Sequence, residues 1–215
     1  MDEAPVPALA TVTIADDPDT WREAGFAFDD GRCAVGAAEL VFEQPDGRRG
    51  LIGVQINGLG EGDCDGLPFE AAAQATRPDA GEHPNGILAL DHLVVFSPDL
   101  DRTITALGEA GLELRRVREE PTPAGAPRQA FFRTGETILE VVQEPDDVVA
   151  ERGRERPAKL WGMAFAVRDM DVAVALLGPR LGAPRPAVQA GRTIATLTRD
   201  AALAVPVALI TVRER

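Results

Sequence analysis

A strand followed at once by the start of a helix occurs twice at a fixed separation, and this repeat restricts the fold more than any other feature. The first copy is DHLVVFSPDLD at residues 91–101, and the second is LWGMAFAVRDMD at residues 160–171. The acidic pair of residues 169–171 stands seventy positions after that of residues 99–101. A shift of this kind predicts two copies of one structural module.

The first copy is predicted to open a module of one strand, one helix and three further strands. An apolar run predicts the first strand, and Leu100, Ile104 and Leu107 then fall at helical spacing on one face. Ser97 is the expected N-cap of this helix, with Pro98 at its first position. The later strands are predicted at LELRRV, RQAFFRT and TILEVVQ.

The same order is predicted for the second copy and, more faintly, for the N-terminal region. In the second copy, a helix begins in RDMDVAVALLG, and GRTIATLT and VPVALITV predict paired closing strands. The strand expected before this pair, near residues 184–188, has only a weak signal. In the N-terminal region, Asp17 and Pro18 predict the start of a helix after the strand of residues 9–15.

These repeats divide the chain into predicted domains. Residues 59–86 carry glycine, proline and acidic residues without periodicity, so they are predicted to form either a linker or an irregular covering segment. His83 lies in this segment and is expected to be exposed to solvent. The predicted boundaries are an N-terminal module at 1–58, the linker at 59–86, and a domain at 87–215 made of modules 87–145 and 159–215.

Charge and composition exclude several classes of function. The formal charge of −13 and the isoelectric point near 4.6 argue against nucleic acid or a membrane surface as a partner, because both attract positive protein surfaces. The absence of a signal peptide and of a long apolar run predicts a cytoplasmic protein without a membrane segment. Cys33 and Cys64 are expected to be reduced thiols. Ser97 is the only serine, which argues against a serine hydrolase.

In the repeated motifs the chain resembles the vicinal oxygen chelate superfamily, the fold of glyoxalases and bleomycin-resistance proteins. The resemblance rests on DHLVVFSPDLD, RQAFFRTGETILEVV, LWGMAFAVRDMDVA and GRTIATL, and in detail the chain is most similar to an actinobacterial type of glyoxalase-like protein. It implies an α+β fold in which paired βαβββ modules form a curved mixed sheet around a cavity. Here an additional N-terminal βαβββ-like module is expected.

The resemblance also implies a set of metal ligands, of which this sequence carries half. Metal-dependent members place a histidine or glutamine near the start of the first strand and a glutamate on the last strand of each module. His92 and Glu140 match these positions, and imidazole with carboxylate suits a divalent transition metal. Gly162 stands at the histidine position of the second copy, whose last strand has no glutamate. A divalent metal is therefore one alternative, and the absence of any cofactor is the preferred one.

Several further residues are candidates for a ligand site. Glu140 is the candidate catalytic base, but an ion pair with Arg128 or Arg133 of the preceding strand is an equal alternative. Gln189 and Arg192 are candidate polar groups for an anionic or carbonyl-bearing ligand, unless this segment only makes a turn.

Small and bulky residues alternate along the strand of residues 160–167. Gly162 and Ala164 fall on one predicted face, and Met163 and Phe165 fall on the other. The bulky face is expected to pack beneath a helix. The small face either leaves room for a ligand or allows close packing within the sheet.

The predicted function is that of a glyoxalase-like protein that acts on or binds a small organic molecule, with His92 and Glu140 lining the site. The alternative is a metal-free protein that sequesters a small molecule, as bleomycin-resistance proteins do. A third alternative is a filled cavity, in which module pairing serves assembly alone. Because the number of modules is odd, a homodimer that exchanges modules between chains is also an open arrangement.

Overall fold

The computed structural model describes residues 6–43, 47–72, 81–122 and 125–212. Within these ranges the elements in chain order are β1 (Ala8–Ala15), α1 (Pro18–Glu23), β2 (Cys33–Val35), β3 (Ala38–Glu43), β4 (Gly50–Asn57), β5 (Phe69–Ala71), β6 (Ile87–Ser97), α2 (Leu100–Glu109), β7 (Glu113–Arg118), β8 (Gln129–Thr134), β9 (Thr137–Gln143), α3 (Asp146–Arg152), β10 (Lys159–Val167), α4 (Met170–Leu177), β11 (Arg185–Pro186), β12 (Thr193–Thr196) and β13 (Val207–Thr211). No helix among these is long and apolar enough to cross a membrane.

The strands form two mixed sheets, and the larger sheet contains both predicted modules. The hydrogen-bonded order is β2-β3-β1-β4-β5 in one sheet and β11-β12-β13-β10-β6-β9-β8-β7 in the other. In each module of the larger sheet, the first strand runs parallel to the last, β6 beside β9 and β10 beside β13. This arrangement confirms the predicted α+β fold of paired βαβββ modules with an additional N-terminal module-like region.

The chain divides into two compact units, each built from separate stretches of sequence. The first unit comprises residues 1–10, 53–75 and 92–161, and the second comprises residues 11–52, 76–91 and 162–215. Strands β7 to β9 and helices α2 and α3 lie in the first unit, whereas α1, α4 and β11 to β13 lie in the second. The module boundaries inferred from the sequence stay a prediction.

Helix α2 packs on the first-unit sheet through an apolar face, as its spacing predicts. Leu100 and Leu107 are buried, and Leu93 and Val95 of β6 are buried too. Burial of a leucine side chain of this kind contributes roughly 1.5–3 kcal/mol to folding. The side of β6 that carries Leu93 and Val95 therefore faces the interior, beneath helix α2.

The predicted cap of helix α2 is wrong by two residues. Asp99, not Ser97, is the N-cap, and its carboxylate accepts a hydrogen bond from the backbone N–H of Arg102 at 3.2 Å. Pro98 therefore lies before the cap. The hydroxyl of Ser97 is buried 2.6 Å from Oγ1 of Thr103 and accepts from the N–H of Asp99. A serine followed by proline resembles a cap in sequence, but aspartate is an equally good cap and stands two residues nearer the helix.

In the second unit the bulky face of β10 is buried, as expected. Phe165 is fully buried and meets Phe26 edge to face, with ring centroids 5.2 Å apart. Helix α1 begins as predicted, because Asp17 accepts from the N–H of Asp19 at 2.9 Å and proline occupies the first turn. Strand β11 fills the position whose sequence signal is weak.

Residues 60–65 of the segment before β6 pack against helix α2. Asp65 is buried and accepts a 2.7 Å hydrogen bond from Nε of Arg102 on α2, together with one from the hydroxyl of Thr103. The N–H of Gly60 also bonds to the carbonyl of Ala110. These contacts hold the segment against α2.

Helix α3 occupies a stretch that the sequence suggests only as a charged separator. Its charges complement the helix dipole, with Asp146 and Asp147 in the first turn and Arg152 in the last. A charged stretch of this composition was thus compatible with a short helix.

Candidate functional site

His92 and Glu140 lie on one face of the sheet in the first unit. Strands β6 and β9 are parallel, with His92 aligned to Ile138 and Val94 aligned to Glu140. Since side chains two residues apart on a strand point to the same side, all four of these side chains share a face. This face is opposite the one that packs beneath α2.

Gln129 extends the same face onto the next strand. Strands β8 and β9 are antiparallel, with Gln129 opposite Val142 and Phe131 opposite Glu140. Directly opposite residues in an antiparallel pair project to one side. The strand order β6-β9-β8 therefore places Glu140 on the middle strand, with His92 on one neighbour and Gln129 on the other.

The three polar side chains are in contact. Nε2 of His92 lies 3.5 Å from Oε2 of Glu140, and the two side chains are 13% and 15% exposed. The amide of Gln129 donates a hydrogen bond to Oε1 of Glu140. We call these three residues the polar row. Each oxygen of the Glu140 carboxylate is thus adjacent to a different neighbouring side chain.

Apolar side chains surround the polar row. Val94 and Val142 are buried in a cluster with Ala126 of the β7–β8 connection, and Phe96 packs against that cluster. Phe131 and Ile138 are half-buried on the same face. Water is therefore partly excluded from the carboxylate, which strengthens hydrogen bonds made to it.

Among the described residues, His92 and Glu140 supply two of the ligands that a metal site would need. Catalytic zinc sites have three protein ligands, and His92 with Glu140 supplies two. Across the described residues, no group of three histidine, cysteine, aspartate or glutamate side chains is arranged to hold an ion. The carboxylate is instead bonded to the amide of Gln129.

The predicted pairing of Glu140 with Arg128 is wrong. Nε of Arg128 donates to Glu119 at 2.7 Å, and its Nη1 donates to Asp101 at 3.1 Å. The guanidinium accordingly lowers the pKa of the Glu119 carboxylate through that hydrogen bond. Arg133 is exposed and lies opposite Ile138, on the same face as Glu140.

At Gly162 the structure supports close packing. A Cβ placed on Gly162 would come within 2.7 Å of the carbonyl oxygen of Pro206. Because Gly162 has no side chain, the neighbouring backbone packs closely against it, and this space is not left for a ligand. Ala164 is buried and aligned with Ala208 of β13.

Arg192 and Gln189 belong to a polar cluster in the second unit. The side chain of Arg192 is buried, forms a close ion pair with Asp91, and donates to Oε1 of Gln189 at 2.6 Å. Its Nε also donates to the carbonyl of Thr211 at 2.5 Å. These hydrogen bonds engage much of the donor capacity of the Arg192 guanidinium. Asp91, an acidic residue inside an apolar strand, is the sequence signal that would have predicted this cluster.

His83 is buried, contrary to the expectation of a solvated loop histidine. Its Nδ1 accepts from the N–H of Ala27 at 2.9 Å, so Nε2 carries the proton and donates to the carbonyl of Ala34 at 2.8 Å. Burial lowers the pKa of His83 below its usual value. The ring also lines an open pocket of about 400 Å³ with Phe28 and Arg32. A proline-rich context gave no signal for this burial.

Neither cysteine is activated as a nucleophile. Both are buried and unbridged, as predicted for reduced thiols. Burial raises the pKa of the Cys33 thiol to about 12, with a smaller contribution from Glu39. Burial also raises the pKa of Cys64. A neutral thiol is a weak nucleophile, so neither residue supports covalent catalysis.

Comparisons with known proteins identify the fold. No known protein family matches the sequence, and no curated protein does. The chain is similar in structure to a xylose isomerase-like TIM barrel/4-hydroxyphenylpyruvate dioxygenase fusion protein, with a TM-score of 0.62 and 12% identity over 99% of this chain. This chain covers 50% of that protein. The similarity shows the vicinal oxygen chelate fold.

Weaker similarities connect part of the chain to two epimerases. Methylmalonyl-CoA epimerase from Mycobacterium tuberculosis gives a TM-score of 0.49 and 20% identity over 60% of this chain and 91% of that one. A Streptomyces coelicolor methylmalonyl-CoA epimerase in complex with 2-nitronate-propionyl-CoA gives 0.47 and 21%, over 60% of this chain and 99% of that one.

Proposed function

We propose that this chain binds a small organic molecule on the face that carries the polar row, and that Glu140 acts as a base toward it. The observation that carries this proposal is the half-buried carboxylate of Glu140, which lies between Gln129 and His92 among apolar side chains. A carboxylate in such surroundings accepts hydrogen bonds more strongly than one in water.

In this proposal each residue of the polar row has a distinct role. Gln129 holds Oε1 and so fixes the plane of the carboxylate, which directs Oε2 toward His92. A ligand O–H or an acidic C–H that displaces the 3.5 Å contact between Nε2 and Oε2 comes within reach of the base. His92 then lies beside the same ligand atom and donates to or accepts from its neighbouring oxygen.

The proposed reaction class is proton transfer next to a carbonyl group, in the manner of a glyoxalase-like protein. No step passes through a metal, because His92 and Glu140 make up only two of the ligands that a catalytic site needs. The amide of Gln129 and the imidazole of His92 are the chain's own groups for stabilising the charge that develops on the ligand.

A metal-free binding protein of the bleomycin-resistance type is the second candidate. The observation that favours it is that both carboxylate oxygens of Glu140 already contact other side chains, those of Gln129 and His92. In such a protein the polar row would hold a ligand by hydrogen bonds without abstracting a proton.

An NMR experiment in D₂O distinguishes the two candidates. The probes are hydroxyacetone and the hemithioacetal formed from methylglyoxal and glutathione, each added to protein purified without chelator and assayed with and without EDTA. Exchange of the carbon-bound hydrogen for deuterium identifies a base, and Glu140→Gln should slow it at least about 100-fold. The matched control is Glu119→Gln, which removes an exposed carboxylate bonded to Arg128 and should exchange at the wild-type rate.

The outcomes separate the proposals. Exchange that depends on Glu140 supports the enzyme, and binding without exchange supports the second candidate. Absence of binding, or exchange that survives Glu140→Gln, contradicts the role given to Glu140. Exchange that disappears with EDTA overturns the metal-free mechanism.

A further inference from the structure

A second group of side chains lies farther along strand β6, and the proposed reaction does not use it. Phe96 comes four residues after His92 and so shares its face, about 13 Å away along the strand. The ring of Trp161 packs against that of Phe96 in a tilted contact, with ring centroids 4.8 Å apart and planes inclined by 40°. We call this pair the aromatic shelf.

Trp161 presents an apolar surface to solvent. The residue is 43% exposed, whereas the only other tryptophan, Trp21, is fully buried with its indole N–H bonded to Asp16. An indole ring buries a large apolar area when a partner covers it, and it favours offset or edge contacts with other aromatic rings. An exposed indole that already packs against a second aromatic ring is therefore a preformed surface for a planar ring.

The aromatic shelf is continuous with the apolar surroundings of the polar row. Phe96 packs against the cluster of Val94, Ala126 and Val142. Val94 is aligned with Glu140 across the parallel strands. A molecule lying along this face can thus contact the shelf and the polar row at the same time.

Positive charge lies beside the shelf. The ammonium of Lys159 is 5.9 Å from the centre of the Phe96 ring and 3.6 Å from a carboxylate oxygen of Glu144. Arg156 is also bonded to Glu144, so two cations share one carboxylate and these three side chains together carry a formal charge of +1. This excess favours an anionic group on the ligand, in a protein whose overall charge is −13.

We infer that the aromatic shelf and Lys159 bind the planar, anionic end of an elongated aromatic ligand, whose other end reaches His92 and Glu140. The ligand class is an aromatic carboxylate that carries a hydroxyl or carbonyl group at its far end. This inference rests on the proposed function for the position of the second end. The stacking of a ring on Trp161 stands on the shelf alone.

The test uses 6-hydroxy-2-naphthoate as the probe, and the indole N–H signals of the protein as the readout. The chain has two tryptophans, so its nitrogen-edited spectrum has two indole signals, which Trp161→Phe assigns. Binding should shift the signal of Trp161 and leave that of buried Trp21 in place. Decahydro-2-naphthoate, the saturated analogue of 2-naphthoate, should bind more weakly, because it cannot stack.

Variants test the aromatic ring and the anionic group of the ligand separately. Trp161→Leu keeps an apolar side chain without a π face and should weaken binding by about tenfold, while Trp161→Phe should retain most of it. Leu114→Ala changes another exposed apolar residue of the first unit and should leave the affinity unchanged. Lys159→Gln should weaken the naphthoates several-fold, in a manner that salt suppresses.

Comparison with 2-naphthoate separates failure of this inference from failure of the proposed function. If both naphthoates bind through Trp161 but Glu140→Gln has no effect on either, the shelf is supported and the role of the polar row is contradicted. If 6-hydroxy-2-naphthoate depends on Glu140 but leaves the Trp161 signal unshifted, the shelf is overturned and the polar row stands. Equal affinity for the aromatic and saturated acids also overturns the shelf.

Discussion

His92 and Glu140 meet diagonally across two neighbouring parallel strands, with Nε2 and Oε2 3.5 Å apart. His92 is aligned with Ile138, so it contacts a residue that lies two positions further along β9 than its aligned partner. Gln129, on the opposite neighbouring strand, holds the other carboxylate oxygen. The carboxylate is therefore oriented from both sides by side chains on rigid strands, as a site that acts on a bound molecule requires.

Mildly acidic pH should destabilise the protein through His83. Burial lowers the pKa of this histidine in the folded state, so the unfolded chain takes up the proton first as the pH falls. The stability contributed by neutral His83 is present above the usual value of 6.5 and is lost as the pH falls below it. Protonation also removes the Nδ1 lone pair that accepts from Ala27. Urea unfolding at a series of pH values should show this decline.

Replacement of His83 identifies the source of that decline. His83→Asn should lower the unfolding free energy at neutral pH by about 1–3 kcal/mol and flatten the dependence below pH 6.5. A decline that persists in His83→Asn would refute the assignment.

Stronger acid should destabilise the protein through Glu144. The hydrogen bond from Arg156, aided by Lys159, lowers the pKa of this buried carboxylate below its usual value of 4.5. Its stabilising contribution is therefore present above pH 4.5 and is lost as the pH falls through the depressed value. Glu144→Gln should cost about 1–3 kcal/mol at neutral pH, with a flatter acid limb in chemical denaturation. Glu113→Gln, in an exposed pair with Arg115, should change stability by less than about 1 kcal/mol.

Removal of the Asp65 carboxylate should be among the most destabilising polar substitutions. Asp65→Ala leaves Arg102 and Thr103 without the acceptor that holds residues 59–72 against α2, at a cost of about 2–4 kcal/mol. Asp65→Asn is the matched variant, because asparagine also tolerates the φ of +59° at this position and keeps one acceptor oxygen. Thermal unfolding should rank wild type above Asp65→Asn, and Asp65→Asn above Asp65→Ala. Equal melting temperatures would show that the contacts of Asp65 with Arg102 and Thr103 contribute nothing to stability.

Gly162→Ala tests whether the lack of a side chain at this position allows the neighbouring backbone to pack closely. The new Cβ would lie 2.7 Å from the carbonyl of Pro206, so the substitution should destabilise the protein by about 1–3 kcal/mol. Gly108→Ala, at a position of helix α2 with open space around it, should stabilise by about 0.5–1 kcal/mol. A neutral Gly162→Ala in calorimetry would restore the interpretation that this position leaves room for a ligand.

The repeated strand and helix pattern was sufficient to predict the modules, because hydrophobic periodicity and capping residues are local properties of sequence. The pairing of His92 with Glu140 came from the family resemblance and agrees with the strand register. Gln129 could not be predicted, since its contact with Glu140 depends on the register of β8 against β9. A shift of one residue would turn it to the other face.

The burial of isolated polar residues also could not be predicted from the sequence. His83 and Asp65 lie in a segment without periodicity, and both are buried through contacts with residues distant in sequence. Arg128 is the opposite case. Its place on the predicted strand before that of Glu140 suggested a pair, but its side chain reaches Glu119 and Asp101 instead.

Methyl NMR of the wild-type protein with the hemithioacetal of methylglyoxal and glutathione tests the central claim most directly. The methyl groups of Ile138, Val94 and Val142 lie on the face of the polar row and should shift on binding. In Glu140→Gln these shifts should require a higher concentration of probe, whereas Glu119→Gln should match the wild type. Shifts confined to methyl groups outside this face, or equal in all three proteins, would contradict the assignment of this face as the binding site.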